Sequence, residues 1–96
     1  MNTILPIGSV VKIRDVDTPI MIFGFFQETA TKPGTVVDYV GVPYPAGNIN
    51  MAYQLGFQMT DITEVLFEGY RTEEFKPMEA LLEVRRYSET KAEENI

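Results

Sequence analysis

Val36-Val37-Asp38-Tyr39-Val40-Gly41-Val42-Pro43-Tyr44-Pro45-Ala46-Gly47-Asn48 decides how the rest of the chain is read. Residues 36–42 are rich in β-branched side chains, which suit a pleated, half-buried surface, and they predict a strand. Pro43 and Pro45 end it, because proline has no N–H to give to a sheet ladder. The segment is a strand that runs into a stiff aromatic loop, and the loop continues without a period to Met51. Asp38 shares the parity of Val36, Val40 and Val42, whereas Tyr39 lies on the other parity and is expected in the core.

Upstream lie two further strands. Leu5, Ile7, Val11 and Ile13 alternate with Lys12 and Arg14, which predicts a half-buried strand over 5–14. Asp15-Val16-Asp17-Thr18-Pro19 is turn material. Ile20 to Gln27 is apolar on both parities, as expected of a central strand covered on both faces. Phe23, Phe25 and Phe26 are expected in the core, and Gly24 marks a bulge or a close backbone approach. Lys32-Pro33-Gly34-Thr35 fits a type II turn that joins this strand to the next as a hairpin.

Downstream, Tyr53, Leu55 and Phe57 alternate with Gln54, Gly56 and Gln58 as in a short strand. Asp61 fits a helix cap with Glu64 as its reciprocal partner, and 65–70 reads as a further strand. A helix is predicted from Pro77 to about Tyr87. Its apolar stripe is Phe75, Met78, Leu81 and Leu82, with the stem of Arg85. The fold class is α+β: a small bent antiparallel sheet of four or five strands, with a partly open SH3-like barrel as one form, and the C-terminal helix against it. One domain is expected over 1–87, with a charged, flexible tail over 88–96.

Composition excludes several classes. The chain of 96 residues has a net charge of −6. Residues 1–60 hold four acidic and three basic side chains, and residues 61–96 hold ten acidic and five basic, so the acidity belongs to the C-terminal part. Nucleic acid and anionic membrane surfaces need clustered Lys and Arg, which eight scattered basic residues do not supply. No basic region followed by an apolar run opens the chain, and no stretch nears ~18 apolar residues. Neither a signal peptide nor a membrane span is expected, and the expected location is the cytoplasm.

Catalytic chemistry finds few residues to use. Without cysteine or histidine there is no thiolate ligand, no imidazole base and no imidazole ligand. Ser9 and Ser88 are the only serines and have no histidine to activate them. The glycines are too widely spaced for a phosphate cradle, and Asp15, Asp17 and Asp38 do not have the spacing of a calcium loop. No enzyme activity, metal or cofactor is expected.

Protein recognition is what remains. Two readings fit Pro43-Tyr44-Pro45: a stiff chain reversal whose tyrosine packs on the sheet, or a preordered recognition loop that loses little entropy on binding. Asp38 likewise either faces solvent or bonds nearby backbone, or else meets a partner. The expected partner-binding residues are Asp38, Pro43, Tyr44, Pro45 and Asn48. A strand edge and the outer face of the helix, with Glu79, Glu83 and Arg86, are further surfaces for a partner.

Three stretches together carry a family resemblance: Leu5-Pro6-Ile7-Gly8-Ser9-Val10-Val11, Asp38 to Asn48, and Ile62-Thr63-Glu64-Val65-Leu66-Phe67-Glu68-Gly69-Tyr70. The chain resembles the small bacterial domain-of-unknown-function family number 4176 over roughly residues 4–75. The family's members occur in Gram-positive bacteria, often beside genes for type VII secretion and LXG-type toxins. The resemblance implies a non-enzymatic accessory, chaperone-like or targeting factor whose partner is a toxin or secretion component. The alternative is an acidic immunity protein that neutralises a cognate toxin. It implies no catalytic residue.

Overall fold

The computed structural model describes residues 4–29 and 32–94, with side chains described up to Val84 except at positions 29, 32 and 33. Five strands, β1 (Val10–Ile13), β2 (Ile20–Thr29), β3 (Lys32–Pro43), β4 (Leu55–Phe57) and β5 (Ile62–Phe67), precede one helix, α1 (Phe75–Glu94). The strands form one antiparallel sheet in the order β4-β3-β2-β1-β5. This is the α+β class. The sheet is open, with β4 and β5 at opposite edges, rather than rolled into a barrel.

β2 takes the central place expected of it, but its two faces are not equally covered. Ile20 and Ile22 are buried, while Met21, Phe23, Phe25 and Phe26 are only half-buried. β3 is the strand enclosed on both faces, since every residue from Val37 to Val42 is buried. Phe23 is the extra residue of a bulge, because Ile22 pairs with Gly41 and Gly24 with Val40. The bulge expected at Gly24 therefore falls one residue earlier. The β2–β3 hairpin is present, and Gly34 has the positive φ of 83° expected of it. Lys32–Thr35 nevertheless belongs to β3 as an irregular stretch, with the Gly34 N–H donating to Glu28 Oε1 at 2.8 Å. The connection then falls at residues 30–31, outside the described residues.

The first strand is shorter than its alternation suggests. Residues 4–9 are not a regular strand, because Pro6 lacks a donor and Gly8 has a φ of 91°; they meet the ladder where the Gly8 N–H donates to the Ile22 carbonyl at 2.9 Å and the Ser9 carbonyl accepts from the Ile22 N–H at 2.8 Å. Ile7 is exposed as a result, against its parity, while Leu5 is buried. The helical turn expected from Asp61 lies earlier, at Met59–Asp61, and continues directly into β5. Asp61 is not its cap but the reciprocal partner: its Oδ2 accepts from the Gln58 N–H at 3.0 Å, and Glu64 lies in β5.

One core gathers on one side of the sheet. Val11, Ile13, Ile20, Ile22 and Tyr39 meet Ile4, Leu5, Phe57, Met59 and Phe75 there. Tyr39 is fully buried as expected, and its ring lies 5.5 Å from Phe57 and 6.0 Å from Phe25, centroid to centroid. Its hydroxyl accepts from the Leu5 N–H at 3.1 Å, so the one polar atom of the ring has a partner.

Helix α1 docks by only part of the stripe the sequence suggests. Phe75 is buried against Phe25 and Leu82 packs on the core, but Met78 and Leu81 are exposed. Glu79 occupies the turn between Phe75 and Leu82, because Arg71 Nη1 donates to its carboxylate at 2.7 Å. Pro77 lies in the first turn, where the missing N–H is not needed. The helical backbone runs to Glu94 rather than ending near Tyr87, so residues 88–94 are helical. The side chains of Arg85 and Arg86 lie outside the described residues.

Candidate functional site

Asp38 is 8% exposed, and its Oδ2 accepts from the Met59 N–H at 2.7 Å. Its own N–H donates to Gln58 Oε1 at 3.1 Å. These bonds pin the 58–61 turn against β3, and that is the local-backbone reading of the residue. The structure does not bring Asp38 to the surface beside the other candidates.

Those other candidates form one loop. Pro43 is half-buried opposite Ile20 at the end of β3. The Tyr44 N–H donates to the Pro19 carbonyl at 2.9 Å, and the Gly47 N–H donates to the Pro43 carbonyl at 2.7 Å. The Tyr44–Pro45 peptide is cis. Pro45 and Asn48 are exposed, and Asn48 Oδ1 accepts from Gln54 Nε2 at 3.3 Å. The backbone of Tyr44 is thus held from both sides while its side chain stays 50% exposed. It is neither packed down as a core ring nor free.

Tyr44 stands on the wall of an apolar cleft of about 580 Å³. Val10 and Met21 of adjacent strands line it together with Gly8, Pro19, Leu66 and Phe67, the last on the β5 side of Val10 as Tyr44 is on the β3 side of Met21. Leu66 and Phe67 are neighbours in sequence, and in a regular strand they would point to opposite faces. Here Val10 pairs with Phe67 and Val11 with Val65, so Leu66 is the additional residue of a bulge. A bulge re-aims a side chain, and this one turns both residues toward the cleft. Leu66 is 43% exposed and Phe67 61%.

Gly69, just past β5, is held against the segment before β1. Its N–H donates to Ser9 Oγ at 2.9 Å, and that hydroxyl donates to the Pro6 carbonyl at 2.8 Å. A side chain at 69 would collide with the Ile7 carbonyl and lie 2.9 Å from the Ser9 nitrogen. The glycine lets the 4–9 segment, which carries the cleft residue Gly8, approach the chain just past β5.

Behind the cleft, Arg71 binds three parts of the chain together. It meets Glu68, Glu79 and the Ile4 carbonyl, the last at 3.2 Å, and lies 5.5 Å from the Phe75 ring centre. Burial opposes its charge, but hydrogen bonds and charge contacts with Glu68 and Glu79 outweigh burial, so its pKa lies above the ordinary arginine value. The guanidinium ties the 4–9 segment and the end of β5 to α1.

Leu66, Phe67, Met21 and Val10 are site residues that sequence reasoning missed. The signal for two of them was present: Val65-Leu66-Phe67 is a run of three apolar residues where a half-buried strand would alternate. Ile49, Met51 and Tyr53, beyond the Pro-Tyr-Pro loop, are also exposed, and Tyr53 ends a 3-10 turn (Met51–Tyr53) instead of opening the short strand that its alternation with Leu55 and Phe57 predicts. No group of three or more acidic side chains among the described residues is placed to hold a metal ion. No described helix is long and apolar enough to cross a membrane.

A family model described as Domain of unknown function (DUF4176) matches residues 4–78. Comparison with curated proteins and with solved structures gives no match. The matched span contains all five strands, the cleft, Arg71 and the first turn of α1. On that match, the chain belongs to the Domain of unknown function (DUF4176) family.

Proposed function

We propose that this protein is a non-enzymatic, protein-binding accessory factor, chaperone-like or targeting, that works in the cytoplasm on an LXG-type toxin exported by type VII secretion. The observation that carries the binding part of this reading is Tyr44 on the wall of the cleft. A tyrosine with a fixed backbone and a half-exposed ring, lining the same cleft as Leu66 and Phe67, gives a partner a preorganised apolar anchor site. Covering a large apolar side chain contributes roughly 1.5–3 kcal/mol, so a few such side chains support a stable complex. Missing histidine and cysteine favour binding over chemistry. The toxin and the secretion route are drawn from the genes that neighbour those of family members.

The acidity of residues 61–96 favours one second reading, an immunity protein that blocks a cognate toxin with a basic active site. Pull-down against the two halves of a neighbouring LXG toxin separates the readings. Capture by the N-terminal targeting half, with loss of export when the gene is deleted, supports the accessory factor. Exclusive capture by the C-terminal catalytic half, with rescue of growth, supports immunity and sinks the accessory reading.

A further inference from the structure

From the lining of the cleft we infer what its occupant presents: an uncharged, apolar segment of the partner protein, bound by a contact that salt does not weaken. This rests on the protein-binding reading above and adds the chemistry of the partner's contact segment. Among the described residues that line the cleft none is charged, and the Tyr44 hydroxyl is the one strong hydrogen-bonding group of their side chains. A charged side chain laid on such a lining loses its water and gains no ion to pair with. The strand and loop that carry Tyr44 extend the neutral zone, since no charged residue occurs between Asp38 and Asp61. On the β5 side the charges beside Leu66 and Phe67 are answered within the chain: Glu68 pairs with Arg71, and Glu64 stands across from Lys12 of β1. Asp17, in the turn before Pro19, is exposed and its charge stays in water. The acidic residues of α1 belong to another element and do not line the cleft.

Exposure and net charge then choose among neutral occupants. Tyr44, Leu66 and Phe67 line the cleft yet each stays about half exposed. A small molecule confined to the cleft would leave the outward sides of these residues in water, whereas a protein segment covers them. A second copy of this chain would bring a further −6 to the contact and meet long-range repulsion, which disfavours it. Once covered, the Tyr44 hydroxyl needs a hydrogen-bond partner. The segment therefore sets one neutral polar group, such as a backbone carbonyl or a serine hydroxyl, beside its apolar residues.

Three synthetic peptides with blocked termini test the inference on the full chain by fluorescence anisotropy. The first contains only leucine, phenylalanine, serine and glutamine; the second has lysine in place of each serine and glutamine; the third has glutamate there. The expected result is at least ~10-fold tighter binding of the first than of either other, with an affinity that moves less than ~2-fold between low and high salt. Leu66→Ser and Phe67→Ser should each weaken that binding by at least ~10-fold. Tyr44→Ser, at an exposed loop position, is the further variant should either of those unfold, and circular dichroism confirms the fold of each. Equal or tighter binding of a charged peptide, no binding of the first, an affinity that falls as salt rises, or affinity unmoved by the cleft variants overturns the inference. So does a dimer in sedimentation velocity that Phe67→Ser abolishes, which gives the cleft to a second copy. Binding of the neutral dye Nile red with none of the neutral peptide gives it to a small apolar molecule and overturns the inference as well. The accessory reading fails separately: it falls if neither toxin half is captured, and it stands if the targeting half is captured by a Phe67→Ser protein as well as by the parent.

Discussion

Gly69 donates its backbone N–H to the hydroxyl of Ser9, 60 positions earlier in the chain, at 2.9 Å. Both residues are buried, and the bond joins the segment before β1 to the chain just past β5. It holds the Gly8 segment, which lines the cleft, beside the end of β5.

Gly69→Ala is expected to destabilise the fold by about 1–3 kcal/mol, because the added methyl meets the Ile7 carbonyl and the backbone must move. Ser9→Ala is expected to cost a similar amount, about 1–3 kcal/mol, by leaving the Gly69 N–H buried without an acceptor. Urea unfolding measures both. Wild-type stability in Gly69→Ala would show that the two segments do not approach as described.

Asp38→Ala is expected to cost about 1–3 kcal/mol, since it strands the Met59 N–H in a buried place. Asp38→Asn keeps an oxygen there and should retain most of the stability. Unchanged thermal unfolding in Asp38→Ala, together with loss of toxin capture, would instead make Asp38 a partner contact.

Tyr39→Phe removes only the hydroxyl that accepts from Leu5. Its ring packing with Phe57 and Phe25 remains, so the expected loss is the hydrogen-bond part alone, about 1–3 kcal/mol. Two-dimensional NMR should place the largest amide shift at Leu5. A shift spread evenly over the sheet would speak against the bond.

Arg71→Lys keeps the charge but loses the fork that reaches Glu68, Glu79 and the Ile4 carbonyl together. The pairs are partly exposed, so the expected loss of stability is modest, about 1 kcal/mol. The more telling readout is local: hydrogen exchange should rise at the start of α1 and in residues 4–9 but not in β3. Uniform exchange across the chain would show that Arg71 does not tether these parts.

Tyr44→Ala should weaken capture of the partner by about 2 kcal/mol or more and leave the melting temperature nearly unchanged, because the ring is half exposed. A lower melting temperature with unchanged affinity would return Tyr44 to the role of a packing residue in a stiff chain reversal.

Alternation and composition by themselves determined the α+β class, the central place of β2, the burial of Tyr39 and the stiffness of the Pro43–Asn48 loop. These follow from local rules: β-branched runs make strands, and a proline both ends a ladder and fixes its own backbone. What only the tertiary structure decided lies where distant segments meet. Asp38 is a buried anchor because the Met59 turn folds onto it. Glu79 rather than Met78 or Leu81 faces the body of the protein because Arg71, placed by Glu68 and Ile4, reaches it. Leu66 and Phe67 share the cleft because a register shift against β1 turns two neighbours the same way. A sequence period of two cannot encode that, since the shift is set by pairing across more than fifty residues and by the Ser9–Gly69 closure beside it.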